Sequence, residues 1–233
     1  MLLKEIYSEY DYNIEITGVQ TDSRFVKPGN LFLPIRGKNF EGDEFFIDAI
    51  TKGAVAIVYD KAIHNLTIPV IIVDNLEKEL FRLIDLIYEK PYNELTMIGV
   101  TGTDGKTSVS TLTSYLLNHL SRCANIGTNG IIYDKEIIDN VFTTPILTQN
   151  YSLLREFSNL GISYVSMEVS SQGIANKRIE GILYDYAIFT NLSHEHLDTH
   201  KTMHNYFLTK LKLFKQLKKQ GIMIVNKDDY YAK

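Results

Sequence analysis

The chain has 233 residues, 45% of them hydrophobic, with a formal net charge of −4. That is enough apolar material for one large domain or two modest ones, and it excludes a disordered chain. The mild acidity argues against a nucleic-acid partner. No run of about 18 apolar residues predicts a membrane span.

Cys123 is the only cysteine, which excludes an intrachain disulfide and a cysteine-based zinc site. It reads as a small buried residue rather than a reactive thiol. Residues 1–15 carry acids throughout and no apolar run of signal length, so a reduced, cytoplasmic location is expected.

Residues 1–20 make a polar, tyrosine-bearing start. Thr21-Asp22-Ser23-Arg24 follows, and Pro28-Gly29-Asn30 marks a turn. Residues 31–35 predict a strand, and 36–43 a polar loop. Phe45, Phe46, Ala49 and Ile50 give a short amphipathic helix ended by Gly53. Strands are expected at 54–59 and 69–73, and a helix at 77–88 with Leu80, Leu83, Ile84, Ile87 and Tyr88 on one face. Pro91-Tyr92-Asn93 breaks that helix, which places a domain boundary there: 1–93, then 94–233.

The second part opens on a strand at 95–100 and then Gly99-Val100-Thr101-Gly102-Thr103-Asp104-Gly105-Lys106-Thr107. A helix follows at 108–120, with Val109, Leu112, Leu116, Leu117 and Leu120 at helical spacing. Strand, glycine-rich turn and helix with Lys-Thr at its start is the arrangement that cradles nucleotide phosphates. Glycines let backbone N–H groups approach the oxygens, Lys106 supplies a cation for the β/γ-phosphates, and the Thr107 hydroxyl can sit on Mg2+. The strict pattern would have glycine at Val100, so this is the variant form T-G-T-x-G-K-T.

Further on, Gly127-Thr128-Asn129-Gly130 reads as a turn and 131–133 as a short strand. Thr143-Thr144-Pro145 precedes a helix at 147–160. It reads first as a cap, or else as two hydroxyls offered to a ligand. A strand at 162–169 carries Glu168 at its end. In a sheet that holds a phosphate loop this is where ligands bind, so the carboxylate can reach the nucleotide's metal; the other reading is a surface acid. A strand at 183–190 leads into 191–200, the densest group of metal-capable side chains, whose spacing does not form a closed zinc site. A helix at 204–219 and a strand at 221–225 complete the pattern. Alternating strands and helices imply an α/β fold: a small N-terminal α/β domain, then a phosphate-loop domain on a parallel sheet.

These segments, in this order, resemble the Mur ligases. Within that family they resemble the members that add the third amino acid to UDP-N-acetylmuramoyl-L-alanyl-D-glutamate. The resemblance rests on Thr21 to Arg24 with Lys27 to Phe32, the loop 36–43, Thr101 to Ser108, Thr143-Thr144-Pro145, Met167 to Gly173 with Arg178, and Phe189 to His200 with Tyr206 to Phe214. It implies an ADP-forming acid–amino-acid ligase of peptidoglycan precursor synthesis, using ATP and one or two Mg2+ ions through an acyl phosphate. It implies ATP contacts from Gly102, Thr103, Asp104, Gly105, Lys106, Thr107 and Ser108. Thr21, Ser23, Lys38, Asn39 and Phe40 would lie along the UDP. Thr143, Thr144, Ser170, Asn176 and Arg178 would face the muramoyl-dipeptide, Arg178 pairing with a carboxylate. Thr107, Glu168 and His196 would hold Mg2+. Lys210 matches a lysine that becomes carbamylated and ligates a second Mg2+, so Lys106, Lys210 and His196 form the implied catalytic set. A monomer is expected.

Four residues depart from the family pattern: Asp104 for Asn, Glu195 for Asp, Asn176 for Gln and Lys201 for Gly. A complete member also carries a third, C-terminal domain, so this chain alone is expected not to complete ligation. Two other readings remain: a non-catalytic UDP-sugar-binding remnant, and a different phosphate-loop kinase or NTPase. The third amino acid is left open between diaminopimelate, lysine and another amine.

Overall fold

The computed structural model describes residues 1–35 and 43–232. It divides into two compact units, Met1–Glu89 and Lys90–Lys233. Lys38, Asn39 and Phe40, expected along a UDP, lie outside the described residues.

The first unit contains α1 (Leu3–Ile6), β1 (Gly18–Gln20), β2 (Asn30–Phe32), α2 (Phe46–Thr51), β3 (Ala56–Tyr59), β4 (Val70–Ile72) and α3 (Leu76–Tyr88). Its four strands pair in parallel in the order β1-β2-β3-β4. Phe32, Phe46, Ala49, Ile57 and Tyr59 form its core, with the Phe46 and Tyr59 rings edge to face at 5.2 Å. Asn75 caps α3 by accepting the Lys78 N–H at 2.8 Å, and Leu80, Leu83, Ile84 and Tyr88 are buried. The opening residues are less polar in effect than they read, since Leu3 and Ile6 are buried and β1 lies within the stretch.

The second unit contains β5 (Thr96–Thr101), α4 (Lys106–Leu117), β6 (Cys123–Gly127), β7 (Gly130–Tyr133), β8 (Glu136–Ile138), α5 (Leu147–Asn159), β9 (Tyr164–Glu168), α6 (Ser171–Ala175), β10 (Tyr184–Phe189), α7 (Leu197–His200), α8 (Met203–Leu211) and β11 (Leu217–Val225). Its seven strands run in the order β11-β10-β5-β9-β6-β7-β8. The five from β11 to β6 are parallel; β7 and β8 add an antiparallel edge that simple βα alternation does not predict. The strand bearing the phosphate loop, β5, lies between β9 and β10, so the chain reverses its direction of travel across the sheet at β5. The carboxyl ends of these strands flank the crevice where open α/β sheets bind ligands.

Two helices differ from their sequence pattern. On α4 the residues that face inward are Ser110 and Ser114, while Leu112 and Leu116 are exposed, as is Leu120 beyond its end. Close approach explains this: the Ser166 hydroxyl of β9 donates to the Ser110 carbonyl at 2.9 Å, and larger side chains would hold the helix off the sheet. The helix expected at 204–219 ends at Leu211. The chain turns, and Leu217 already begins β11, where the Lys218 ammonium pairs with Asp185 at 2.8 Å and the 222–225 segment ladders onto β10. Tertiary pairing overrides local helical propensity there. Among the described residues no helix is long and apolar enough to cross a membrane.

Lys201 closes α7 at φ +69°, a backbone region that glycine enters freely and lysine does not. This is the position where the resemblance expects glycine. Lys201→Gly should therefore stabilise the chain by about 1 kcal/mol, raising the unfolding midpoint by roughly 2–4 °C. A calorimetric scan showing no gain would mean the turn carries no such strain.

Candidate functional site

The phosphate loop spans the end of β5 and the start of α4. Gly102 passes so close to β10's exit that a Cβ would run into the Thr190 hydroxyl. Gly105 has open space around it but sits at φ +77°, so its need is conformational. Lys106 opens α4 and turns back on the loop, donating to the carbonyls of Gly102 (3.1 Å) and Thr103 (2.8 Å). Ser108 is exposed on the helix.

Residues after β10 brace the loop. The Asp104 N–H donates to Asn191 Oδ1 at 2.9 Å, and the Asp104 carbonyl accepts from the Thr190 hydroxyl at 2.6 Å. Thr103 Oγ1 accepts the Ser193 N–H at 3.0 Å. The Asp104 carboxylate, at the position where the resemblance expects Asn, accepts from the Ser193 hydroxyl at 3.2 Å. It is thus tied to this brace.

Strand register delivers the next group. Val100 of β5 pairs with Glu168 of β9, which sets a fully buried carboxylate beside the loop's root. Glu168 Oε1 accepts the Thr128 N–H at 2.8 Å. Its Oε2 accepts the hydroxyls of Thr107 (2.8 Å) and Thr128 (3.3 Å). The carboxylate approaches so closely that a Cβ on Gly127 would strike Oε1. Gly127 and Thr128 are site residues that the sequence reading took for a turn. Only their position after a buried strand, itself unassigned from sequence, could have pointed to them.

A cavity of about 390 Å3 joins these groups to the second half of the expected site: Lys106, Thr107, Glu168 and His196 line it together with Thr143, Ser170 and Arg178. The Arg178 guanidinium lies 4.0 Å from the Phe142 ring centroid and donates to the Thr144 carbonyl at 3.0 Å. Burial pulls its pKa below the ordinary guanidinium value, though not out of its charged form. Thr144 is fully buried and does not cap α5, whose cap residue is Ile146. Its hydroxyl donates to the Glu168 carbonyl (3.0 Å) and accepts the Ser170 N–H (3.0 Å), bracing the turn after β9. Asn176 ends α6, exposed and away from the cavity lining. In the first unit, Ser23 is buried just beyond β1, and Asp22 pairs with Arg24 at 2.6 Å; Thr21 immediately follows β1.

His196 stands at φ +56° before α7, its Nε2 3.6 Å from the Glu195 carboxylate. Lys210 is buried, donates to the Gly102 carbonyl at 2.6 Å and lies 4.4 Å from the Tyr206 ring centroid. It is not among the residues lining the cavity. His200 and Tyr206, which lie in segments that carry the resemblance but receive no role of their own from it, stack at 4.9 Å. His200 Nε2 lies 3.0 Å from Ser171 Oγ, and the Thr103 hydroxyl donates to Tyr206 Oη at 3.3 Å.

The donor set also fits a hard divalent cation. Glu168 is a buried carboxylate whose hydrogen bonds come from neutral hydroxyls and an amide, and Thr107 Oγ1 adjoins it. Among the described residues no three His, Cys, Asp or Glu side chains converge. Such a site suits Mg2+ shared with phosphate oxygens and water rather than a protein-only cage.

Residues 100–233 match the Mur ligase middle domain, and residues 15–84 match the Mur ligase family catalytic domain. The chain belongs to the Mur ligase family. It is 41% identical to UDP-N-acetylmuramyl-tripeptide synthetase 2 of Oceanobacillus iheyensis, over 92% of this chain and 45% of that protein. It is 38% identical to UDP-N-acetylmuramoyl-L-alanyl-D-glutamate–2,6-diaminopimelate ligase of Haemophilus influenzae, over 95% of this chain and 47% of that protein. A solved structure of a ligase with the latter name superposes with a TM-score of 0.72 at 26% identity, over 100% of this chain and 48% of that one. A MurF ligase from Thermotoga maritima in complex with ADP shares the fold, with a TM-score of 0.61 at 23% identity, covering 92% of this chain and 46% of that one. The chain spans about half the length of the curated relatives it matches.

Burial, and next the charge of Lys106, pushes the Lys210 ammonium down to about 7, against the opposing pull of Glu195 and Asp104. Above pH 7 and below the ordinary lysine range, the unfolded chain therefore holds the extra proton, so stability rises with pH across that window. The melting temperature of the wild type relative to Lys210→Met should climb between about pH 7 and 9.5. Parallel curves for the two proteins would show that the ammonium is not desolvated in this way.

Proposed function

We propose that the chain carries the acceptor- and ATP-binding portions of the ligase that adds the third amino acid to UDP-N-acetylmuramoyl-L-alanyl-D-glutamate. The observation that carries this reading is the single cavity shared by phosphate-loop residues and by Thr143, Ser170 and Arg178. A phosphoryl donor and a carboxylate acceptor would meet there. Thr21 and Ser23, with Lys38, Asn39 and Phe40, would hold the uridine end. The names of the relatives support the same step.

Chemically, the chain's own groups position and stabilise charge. Lys106 exchanges its two loop carbonyls for β/γ-phosphate oxygens, keeping charge-assisted hydrogen bonds throughout. Loop N–H groups at the start of α4 face the same phosphates. Thr107 and Glu168, with His196 at the cavity wall, would hold Mg2+, which supplies charge neutralisation between the phosphates. Arg178 fixes an acceptor carboxylate, so that the D-glutamyl carboxylate oxygen can attack the γ-phosphorus. The Pγ–O bond to ADP breaks and an acyl phosphate forms. An incoming neutral amine then attacks the acyl carbon, the acyl C–O bond to phosphate breaks, and the nitrogen loses a proton to solvent as phosphate leaves and the amide forms. Lys210, with its lowered pKa, supplies a neutral amine in slightly alkaline solution, able to add CO2 and lose a proton to give a carbamate for a second Mg2+.

Titration calorimetry tests the site without needing turnover. Lys106→Ala should weaken Mg2+·ATP about 10- to 100-fold and leave the UDP-muramoyl-dipeptide within about twofold. Loss of both affinities, or of neither, would count against the assignment. Asp104→Asn removes a negative charge beside the phosphates and should tighten ATP about threefold to tenfold. Unchanged or weaker binding would show that the carboxylate is used.

A further inference from the structure

Thr128 joins the two halves of the cavity, and the residue roles implied by the family resemblance do not include it. Its hydroxyl lies 3.3 Å from Glu168 Oε2 and 3.0 Å from Thr143 Oγ1. A hydroxyl has one proton. With that proton on Glu168, the bond to Thr143 must be donated by Thr143. The chain then runs Thr143 O–H to Thr128, Thr128 O–H to Glu168, with the Thr107 hydroxyl donating to the same Oε2. The Thr128 N–H separately holds Oε1 and does not depend on the hydroxyl.

We infer that Thr128 is a positioning residue whose hydroxyl couples occupancy of the acceptor side to cation binding at Glu168; this rests on the proposed reading of the cavity. A divalent cation at Oε2 repels the O–H proton pointing at that oxygen. Thr128 relieves the repulsion by turning its proton to Thr143 Oγ1, and Thr143 must then donate elsewhere. An acceptor oxygen at Thr143 takes that proton. Conversely, an acceptor that draws the Thr143 proton leaves Thr128 donating to Thr143 and strips one hydrogen bond from Oε2, freeing it for the cation. Each ligand therefore favours the same orientation of the two hydroxyls. The effect is positive and, by thermodynamic linkage, reciprocal. No covalent bond is made or broken; two hydroxyl protons rotate.

The test is a binding cycle on the full chain, using UDP-N-acetylmuramoyl-L-alanyl-D-glutamate and a non-hydrolysable ATP analogue with Mg2+. The coupling factor is the affinity for each ligand alone divided into its affinity in the presence of the other. Like-charge repulsion between the ligands is common to all variants, so the wild type is compared with Thr128→Val, which keeps the N–H and removes the hydroxyl. Melting curves confirm that the variant folds, with Thr128→Ala in reserve. The wild-type factor should exceed that of Thr128→Val by about threefold or more, from either direction of titration, and Thr128→Ser should restore it. The difference should vanish when Mg2+ is replaced by EDTA. A smaller ratio, or one that survives EDTA, overturns the role of Thr128 while the two sites stand. If either ligand fails to bind the wild type, the reading of the cavity falls and this inference falls with it.

Discussion

The pairing of β5 with β9 is the constraint on which the site depends. Because Val100 is opposite Glu168, a carboxylate is carried out of solvent to the root of a phosphate loop. A buried carboxylate must be met by hydrogen-bond donors, and the surrounding sequence answers that demand. Thr107 donates from the first turn of α4, Thr128 donates twice from the end of β6, and Gly127 gives up its side chain to let the carboxylate pass. A shift of one residue in that register would turn Glu168 to the opposite face and dissolve all four relationships.

The phosphate loop is held from outside and from within. Thr190 and Asn191, leaving β10, hold its backbone at Asp104, and the Ser193 N–H holds the Thr103 hydroxyl. Lys106 and Lys210 both donate to the Gly102 carbonyl, so two ammonium groups are brought to one acceptor in a largely buried place. Burial, and next their mutual repulsion, lower the Lys210 pKa. A phosphate arriving at the loop would draw Lys106 away and relieve this crowding. Nearby, α7 is a four-residue helix bounded by His196 and Lys201, both in left-handed backbone conformations. Strain is thus concentrated beside the residues expected to meet metal and phosphate.

Much of the candidate site is legible in the sequence because its signals are local. The loop from Gly102 to Thr107 announces itself by residue types at fixed spacing between an apolar strand and a helix. Glu168 and Arg178 could be reached through the segments around them. Where a residue's role depends on a neighbour distant in the chain, no local signal marks it. Thr144 looked like a helix cap and instead braces the turn after β9. Thr128 looked like a turn residue because its partners are 40 and 15 positions away. The helical spacing of Leu112 and Leu116 suggests the inner face of α4, yet the sheet's closeness makes Ser110 and Ser114 that face.

By itself, then, the sequence determined the α/β class, the phosphate loop, most of the strand and helix positions, and the family. These follow from periodicity and from short motifs whose chemistry is complete within a few residues. Tertiary structure alone decided the order of strands, the antiparallel edge of β7 and β8, the early end of α8, and the meeting of Thr107, Thr128, Thr143 and Glu168 around one cavity. Those depend on which strands lie side by side and in what register. That choice is made by burial and hydrogen bonding summed over the whole sheet, and no single stretch of sequence contains it.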